Sequence, residues 1–231
     1  MHHDYSGDQY ARMARALAGE LGVTATHESA TATALSIVDG CDHAGISLVM
    51  RNRKIKSVAP TDDVVTRADD LQYETGEGPC LQAIHDQETV YSSDLRSDDR
   101  WPSWAPAASS SLGIRTALSL QLFIGPDAMG CLNLYSDQPH AFGPDERVSA
   151  HALAAHIAVA MTAATDQENL SSALINRTLI GQAEGMMMQA LQITAEQAFA
   201  AMVRVSQARN VKVHRVASEI VKNGLKAGLF D

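Results

Sequence analysis

The sequence predicts an N-terminal α/β domain joined by a long helix to a small all-helical module. Three observations carry this. Short strand-like runs separated by glycine and proline turns fill the stretch from Ala44 to Tyr135. From Asp145 to about Ala190 there is no proline, and glycine occurs only at Gly181 and Gly185. Two shorter helical patterns with their own start and stop signals follow.

In chain order, Asp8 to Leu21 reads as a helix with Tyr10, Met13, Leu17 and Leu21 on one face. Ala44 to Met50 and Lys54 to Val58 read as a hairpin turning at Arg51-Asn52. Asp69 to Thr75 leads into Gly76-Glu77-Gly78-Pro79, a tight turn whose proline suits the first position of a short helix through His85. Thr89 to Ser92 is a strand, and Pro102 opens another short helix. Ile114 to Ile124 and Met129 to Tyr135 form the clearest strand pair, turning at Gly125-Pro126-Asp127-Ala128. Leu118, Leu120, Leu122 and Ile124 share one face, and Leu132 and Leu134 share another.

Gly143-Pro144-Asp145-Glu146 starts the long helix, with the acidic pair in the favourable first turn. Leu153, Ile157, Ala160, Met161 and Ala164 recur at helical spacing, then Leu170, Leu174, Leu179 and Ala183 after the polar patch Asp166 to Asn169. A long helix with a narrow apolar stripe predicts coiled-coil pairing with a second copy, the alternative being two helices broken near Asp166. Thr194 and Gln197 make a capping box for the next helix, whose inner face is Ala195, Phe199, Met202, Val203 and Ser206. The last helix turns Val213, Val216, Ala217, Ile220 and Val221 inward and stops at Gly224.

Composition bounds the function. The 231 residues are 45 % apolar and 19 % charged, which suits a globular chain of one large or two small domains. The longest apolar runs, Ala117 to Ile124 and Ala152 to Ala164, read as too short, or too rich in alanine and histidine, to cross a bilayer. No signal peptide is read at Met1 to Tyr5. Cys41, Cys80 and Cys131 are odd in number and lack a CxxC spacing, which suits a reducing compartment, so a cytoplasmic protein is expected. The nine histidines form no ligand cluster, and no metal or cofactor site is read. Net charge is −9 but uneven: from Leu170 onward seven basic residues face four acidic ones, a net of +3, on an otherwise acidic chain. Lys212, Arg215 and Lys222 on the last helix, with Arg204 and Arg209 before it, could neutralise phosphates.

Arg177 to Gly185, Thr194 to Phe199, Arg204-Val205-Ser206 and Val216-Ala217 together resemble an ANTAR domain. The resemblance implies a dimeric three-helix module that binds stem-loops in nascent transcripts and prevents terminator formation. With the basic stripe, it puts candidate RNA contacts at Arg177, Gln182, Ala183, Gly185, Arg204, Ser206, Lys212 and Arg215. Ala183 and Gly185 are small enough to admit another backbone. Glu184 departs from the family, which usually has lysine there; a carboxylate beside phosphate would repel by roughly 1 kcal/mol.

Leu71 to Glu74, Gly76 to Cys80, Asp94-Leu95, Arg100-Trp101-Pro102 and Gly130 to Tyr135 resemble a GAF domain over about Leu35 to Ala163. That implies a central antiparallel sheet flanked by helices, a fold that binds a small-molecule signal in many members and only dimerises in others. Candidate pocket residues are Tyr73, Cys80, Asp94, Trp101, Trp104 and Arg115; the alternative is that the tryptophans and Cys80 only pack the core. The expected division is residues 8–164 for the sensor and 165–231 for the RNA-binding domain, with no catalytic residue. Two other functions compete. One is a thiol enzyme like the GAF proteins that reduce free methionine sulfoxide, which needs two close cysteines and a lowered pKa. The other is a protein-interaction or DNA-binding regulator using the last two helices.

Overall fold

The computed structural model describes residues 22–50, 53–86, 88–125 and 128–225. The expected helix over Asp8 to Leu21, the Arg51-Asn52 turn and the tip Pro126-Asp127 lie outside these residues. The chain forms two compact units, one up to Thr165 and one from Asp166.

The first unit contains α1 (Val23–Ile37), β1 (His43–Val49), β2 (Ile55–Val58), α2 (Asp63–Thr75), α3 (Pro79–Asp86), β3 (Val90–Ser92), α4 (Trp104–Ser111), β4 (Thr116–Gly125) and β5 (Ala128–Ser136). Its sheet has the order β2-β1-β5-β4-β3, antiparallel throughout. The expected hairpins and the proline start of α3 are present. Pro102 stands just before α4 and outside it. Two helices had no clear sequence signal. The Ala- and Thr-rich α1 buries Ala30, Ala34 and Ile37 without a stripe of large side chains. The start of α2 is held by Asp62, whose carboxylate accepts from the Val64 and Val65 amides.

One expectation about faces is corrected. Leu118 stands opposite Leu134 and Leu120 opposite Leu132, and directly opposed residues of an antiparallel pair project to the same side. Both leucine sets therefore enter one core, with Ile46, the inner face of α1, and Leu153, Ile157 and Met161. The other side of the sheet carries Ser47, Ser119, Cys131, Asn133 and Tyr135, roofed by α2, α3 and α4.

Helix α5 runs without a break from Pro144 to Leu191 and spans the boundary between the units. By length and composition it could cross a bilayer, contrary to the sequence expectation, but its first half supplies core residues Leu153, Ile157 and Met161. The second half does not continue one stripe. Leu170 and Leu174 are 63 % and 60 % exposed, whereas Leu179 and Ala183 pack into the second unit. The reason is phase: nine residues from Leu170 to Leu179 turn the helix by roughly 900°, which lands on the opposite side.

In the second unit, α6 (Ala195–Ala208) and α7 (Val213–Asn223) pack with the end of α5. The core takes Ala183, Met187, Ala198, Met202, Val205, Val216, Ala217 and Ile220. The α7 face is the expected one. The α6 face is rotated: Ala198, Met202 and Val205 point inward, while Ala195 and Phe199 are exposed. The capping box is present, with the Gln197 amide donating to Thr194 Oγ1 at 3.2 Å and the Thr194 amide to Gln197 Oε1 at 2.9 Å. Thr194→Ala should destabilise this unit by about 1 kcal/mol. Chemical denaturation followed by helix signal measures it, and an unchanged midpoint would contradict the cap's role.

Candidate functional sites

The polar side of the sheet converges on Asp69, which α2 holds fully buried above β1 and β5. Tyr135 OH donates to Asp69 Oδ1 at 3.3 Å, Asn133 Nδ2 at 3.4 Å and Gln72 Nε2 at 3.5 Å; Ser47 Oγ donates to Oδ2 at 3.4 Å. These bonds are longer than the 2.7–2.9 Å of charge-assisted contacts. Shorter bonds lock the surrounding groups to each other: Gln72 Nε2 to Tyr135 OH at 3.1 Å, Asn133 Nδ2 to Ser47 Oγ at 3.0 Å, and Ser119 Oγ to Asn133 Oδ1 at 2.9 Å. Burial pushes the Asp69 carboxyl up to about 6, against the lowering effect of the Ser57, Tyr135 and Ser47 hydroxyls, with the nearby Asp70 charge adding to the rise.

The expected pocket residues take different places among the described residues. Tyr73 joins the network, sharing a 3.0 Å bond with Ser47. Cys80 is buried, and its amide donates to Gln72 Oε1 at 2.9 Å. That approach requires Gly78, where a Cβ would lie 2.3 Å from Gln72 Oε1. Trp104 is fully buried and donates Nε1–H to the Ala68 carbonyl; Trp101 packs edge-on against it at 5.8 Å. Asp94 and Arg115 pair through two bonds, 3.0 and 2.6 Å, and that partner holds the Asp94 carboxyl below the usual range. So Asp94 and Arg115 pair with each other, and Trp104 and Cys80 are buried in the core. A cleft of about 430 Å³, large enough for a small ligand, lies beside α3. Gly76, Leu81, Gln82, His85, Arg100 and Trp101 line it, and Trp101 alone of the expected residues takes part. Glu77 at its edge caps α4 instead, accepting from the Ser103 and Trp104 amides at 2.7 and 3.1 Å.

The basic surface belongs to the second unit. Arg177, Gln182, Gly185, Arg204, Lys212 and Arg215 are exposed. Arg209 pairs with Glu219 at 2.9 Å. Ala183 is fully buried in the three-helix core and presents nothing to a ligand. Ser206 Oγ donates to the Val211 carbonyl, which ties the α6–α7 turn. Glu184 is half-buried.

Asp69, Gln72, Ser47, Ser119 and Asn133 are not among the residues that the sequence singles out. Their signal was a polar residue between leucines, as in Leu118-Ser119-Leu120 and Leu132-Asn133-Leu134. Alternation reads as a solvent face, and the roofing helices that bury it carry little pattern of their own.

Comparison with known proteins agrees with this architecture. The GAF domain family matches residues 20–162 and the ANTAR domain family residues 168–221. Among solved structures the fold is similar to the N-acylhomoserine lactone-dependent LuxR-family transcription factor CepR2 from Burkholderia cenocepacia. Identity is 17 %, with 66 % of this chain and 90 % of that one covered and a TM-score of 0.52. It is also similar to the free methionine-R-sulfoxide reductase from Neisseria meningitidis. Identity there is 16 %, with 72 % and 98 % covered and a TM-score of 0.49. At 17 % identity the likeness to CepR2 is one of fold. No curated protein matches the chain in sequence. The chain belongs to the GAF domain family, as a GAF and ANTAR domain-containing protein. The combination defines a signal-regulated RNA-binding regulator.

Asp69 gives the sensor a defined pH response. Between about pH 4 and 6 the folded state keeps a proton that the unfolded chain has released. Stability therefore falls as pH rises through that window and levels off above it. The size is on the order of 3 kcal/mol. Asp69→Asn should flatten this dependence in urea titrations across pH 4–7; parallel curves for the two proteins would rule the assignment out.

Proposed function

We propose that this chain is a cytoplasmic, homodimeric antitermination regulator, in which residues 8–164 sense a small-molecule signal and residues 165–231 bind stem-loops in nascent transcripts. The observation that carries the reading is the exposed basic set on an ANTAR module whose first helix is also a core helix of the GAF unit. The proposed RNA contacts are Arg177, Gln182, Gly185, Arg204, Lys212 and Arg215. Ala183 and Ser206 act inside the module, as core and as turn. Glu184 adds a negative charge to that surface and weakens phosphate contact nearby.

Dimerisation is supported by the middle of α5. Between Met161 and Leu179 no side chain is fully buried, and Leu170, Leu174 and Ile175 are each at least 60 % exposed. Helices without tertiary contacts are marginal in water, so a second copy of α5 is the proposed partner. On the sensor side, a ligand enters either the cleft at Trp101 and Arg100 or the Asp69 face after α2 shifts. The regulator reading is favoured over a thiol enzyme because burial raises Cys41 to about 12 and raises Cys131, the reverse of nucleophile activation.

RNA crosslinked to the protein in cells, sequenced beside a Lys212→Ala/Arg215→Ala double variant, tests the output. The parent should enrich transcripts with stem-loops upstream of terminators. Removing two phosphate contacts should make the salt dependence in vitro shallower by roughly 1.5 in log–log slope. Equal recovery from parent and variant would sink the reading.

A further inference from the structure

Phe199 breaks the burial rule that the rest of α6 obeys. The core takes Ala198, Met202 and Val205, while Phe199 leaves 44 % of its surface in solvent. It is the one Phe, Tyr or Trp among the described residues of the second unit. Its exposed ring, on a helix whose neighbouring positions Ala198 and Met202 are buried, is available to a flat partner.

Its setting suits a flat partner. Ala195, one turn earlier on the same face, is small and exposed; Val203, one turn later, is half-buried. Glu196, three residues back, is the nearest acidic position on the helix. The capping box fixes the first turn of α6, so the ring stands on a pre-ordered backbone. The face that carries Phe199 continues through Val203 to Ser206, whose hydroxyl is bonded to Val211 at the turn. Lys212, at the N-cap of α7, and Arg215 follow, both exposed. Seven residues of helix from Phe199 to Ser206 span roughly 10 Å. That is close to three stacked nucleotides at about 3.4 Å each.

We propose that Phe199 is a stacking platform for an unpaired RNA base, with phosphates two or three nucleotides away held by Lys212 and Arg215. The inference rests on the RNA-binding reading and deepens it. Bases inside an A-form stem are stacked on each other, so a protruding ring can engage only a base that a loop or bulge has splayed out. Stacking also tolerates any base, so this residue sets affinity for open loops while other contacts choose the sequence.

The test uses the full-length protein and two probes: a pool of RNA hairpins with one stem and a randomised loop, and that stem alone as a blunt duplex. Phe199→Ala and Phe199→Leu should lose roughly 5- to 100-fold in hairpin affinity. They should keep the parent's salt slope and its weak duplex binding. Phe199→Trp should bind as the parent does. Circular dichroism checks that helix content is unchanged; the leucine variant keeps an apolar side chain, so its loss reports the ring. Lys212→Ala should show the opposite signature, a changed slope. Parental hairpin affinity in the alanine and leucine variants overturns the stacking role, and if those variants lose self-association the ring is a protein contact instead. A parent that binds neither probe at low salt overturns the RNA reading itself, and this inference with it.

Discussion

One helix is shared by two cores, and both units depend on it. The first half of α5 buries Leu153, Ile157 and Met161 under the leucine face of the sheet. Its last turns give Ala183 and Met187 to the three-helix core. Without those residues α6 and α7, of 14 and 11 residues, would be short helices with apolar stripes and little to cover them. The sheet would lose part of its covering on one side. The helix thus contributes side chains to both cores.

The other face of the sheet is built differently. It is polar, closed, and centred on a carboxyl held by long bonds. Such a network is costly when a charge sits in it and cheap when a proton neutralises it. A signal acts on this domain only through a difference in free energy between two of its states. The Asp69 cluster offers such a difference beneath α2, and the Trp101 cleft offers a separate surface at α3. Trp104 and Cys80 are buried in the core beside that network, and Asp94 pairs with Arg115.

Long elements with large side chains were legible in the sequence. The leucine strands, the proline start of α3, the run of α5 and the capping box at Thr194 each had a local physical signature, and each is present. Helices α1 and the start of α2 had none, because alanine and threonine bury little area per residue and leave no stripe. Errors elsewhere were errors of phase. On α6 a frame through Ala195, Phe199 and Ser206 fits helical spacing as well as the true one through Ala198, Met202 and Val205, and only packing against α5 and α7 decides. Along α5, Leu170 and Leu179 look alike in sequence but face opposite ways. The polar network was hidden because burial of alternate serines and asparagine depends on helices far away in sequence.

In the proposed dimer, a second copy holds α5 as a single ordered element where neither core supports it. Amide hydrogen exchange across residues 163–178, with and without an RNA hairpin, tests it most directly. A paired helix should exchange slowly, with protection that rises with protein concentration and rises further when RNA binds. Fast exchange under all of these conditions would mean that the middle of the helix opens freely, and the coupling between sensor and RNA-binding module would have no physical carrier.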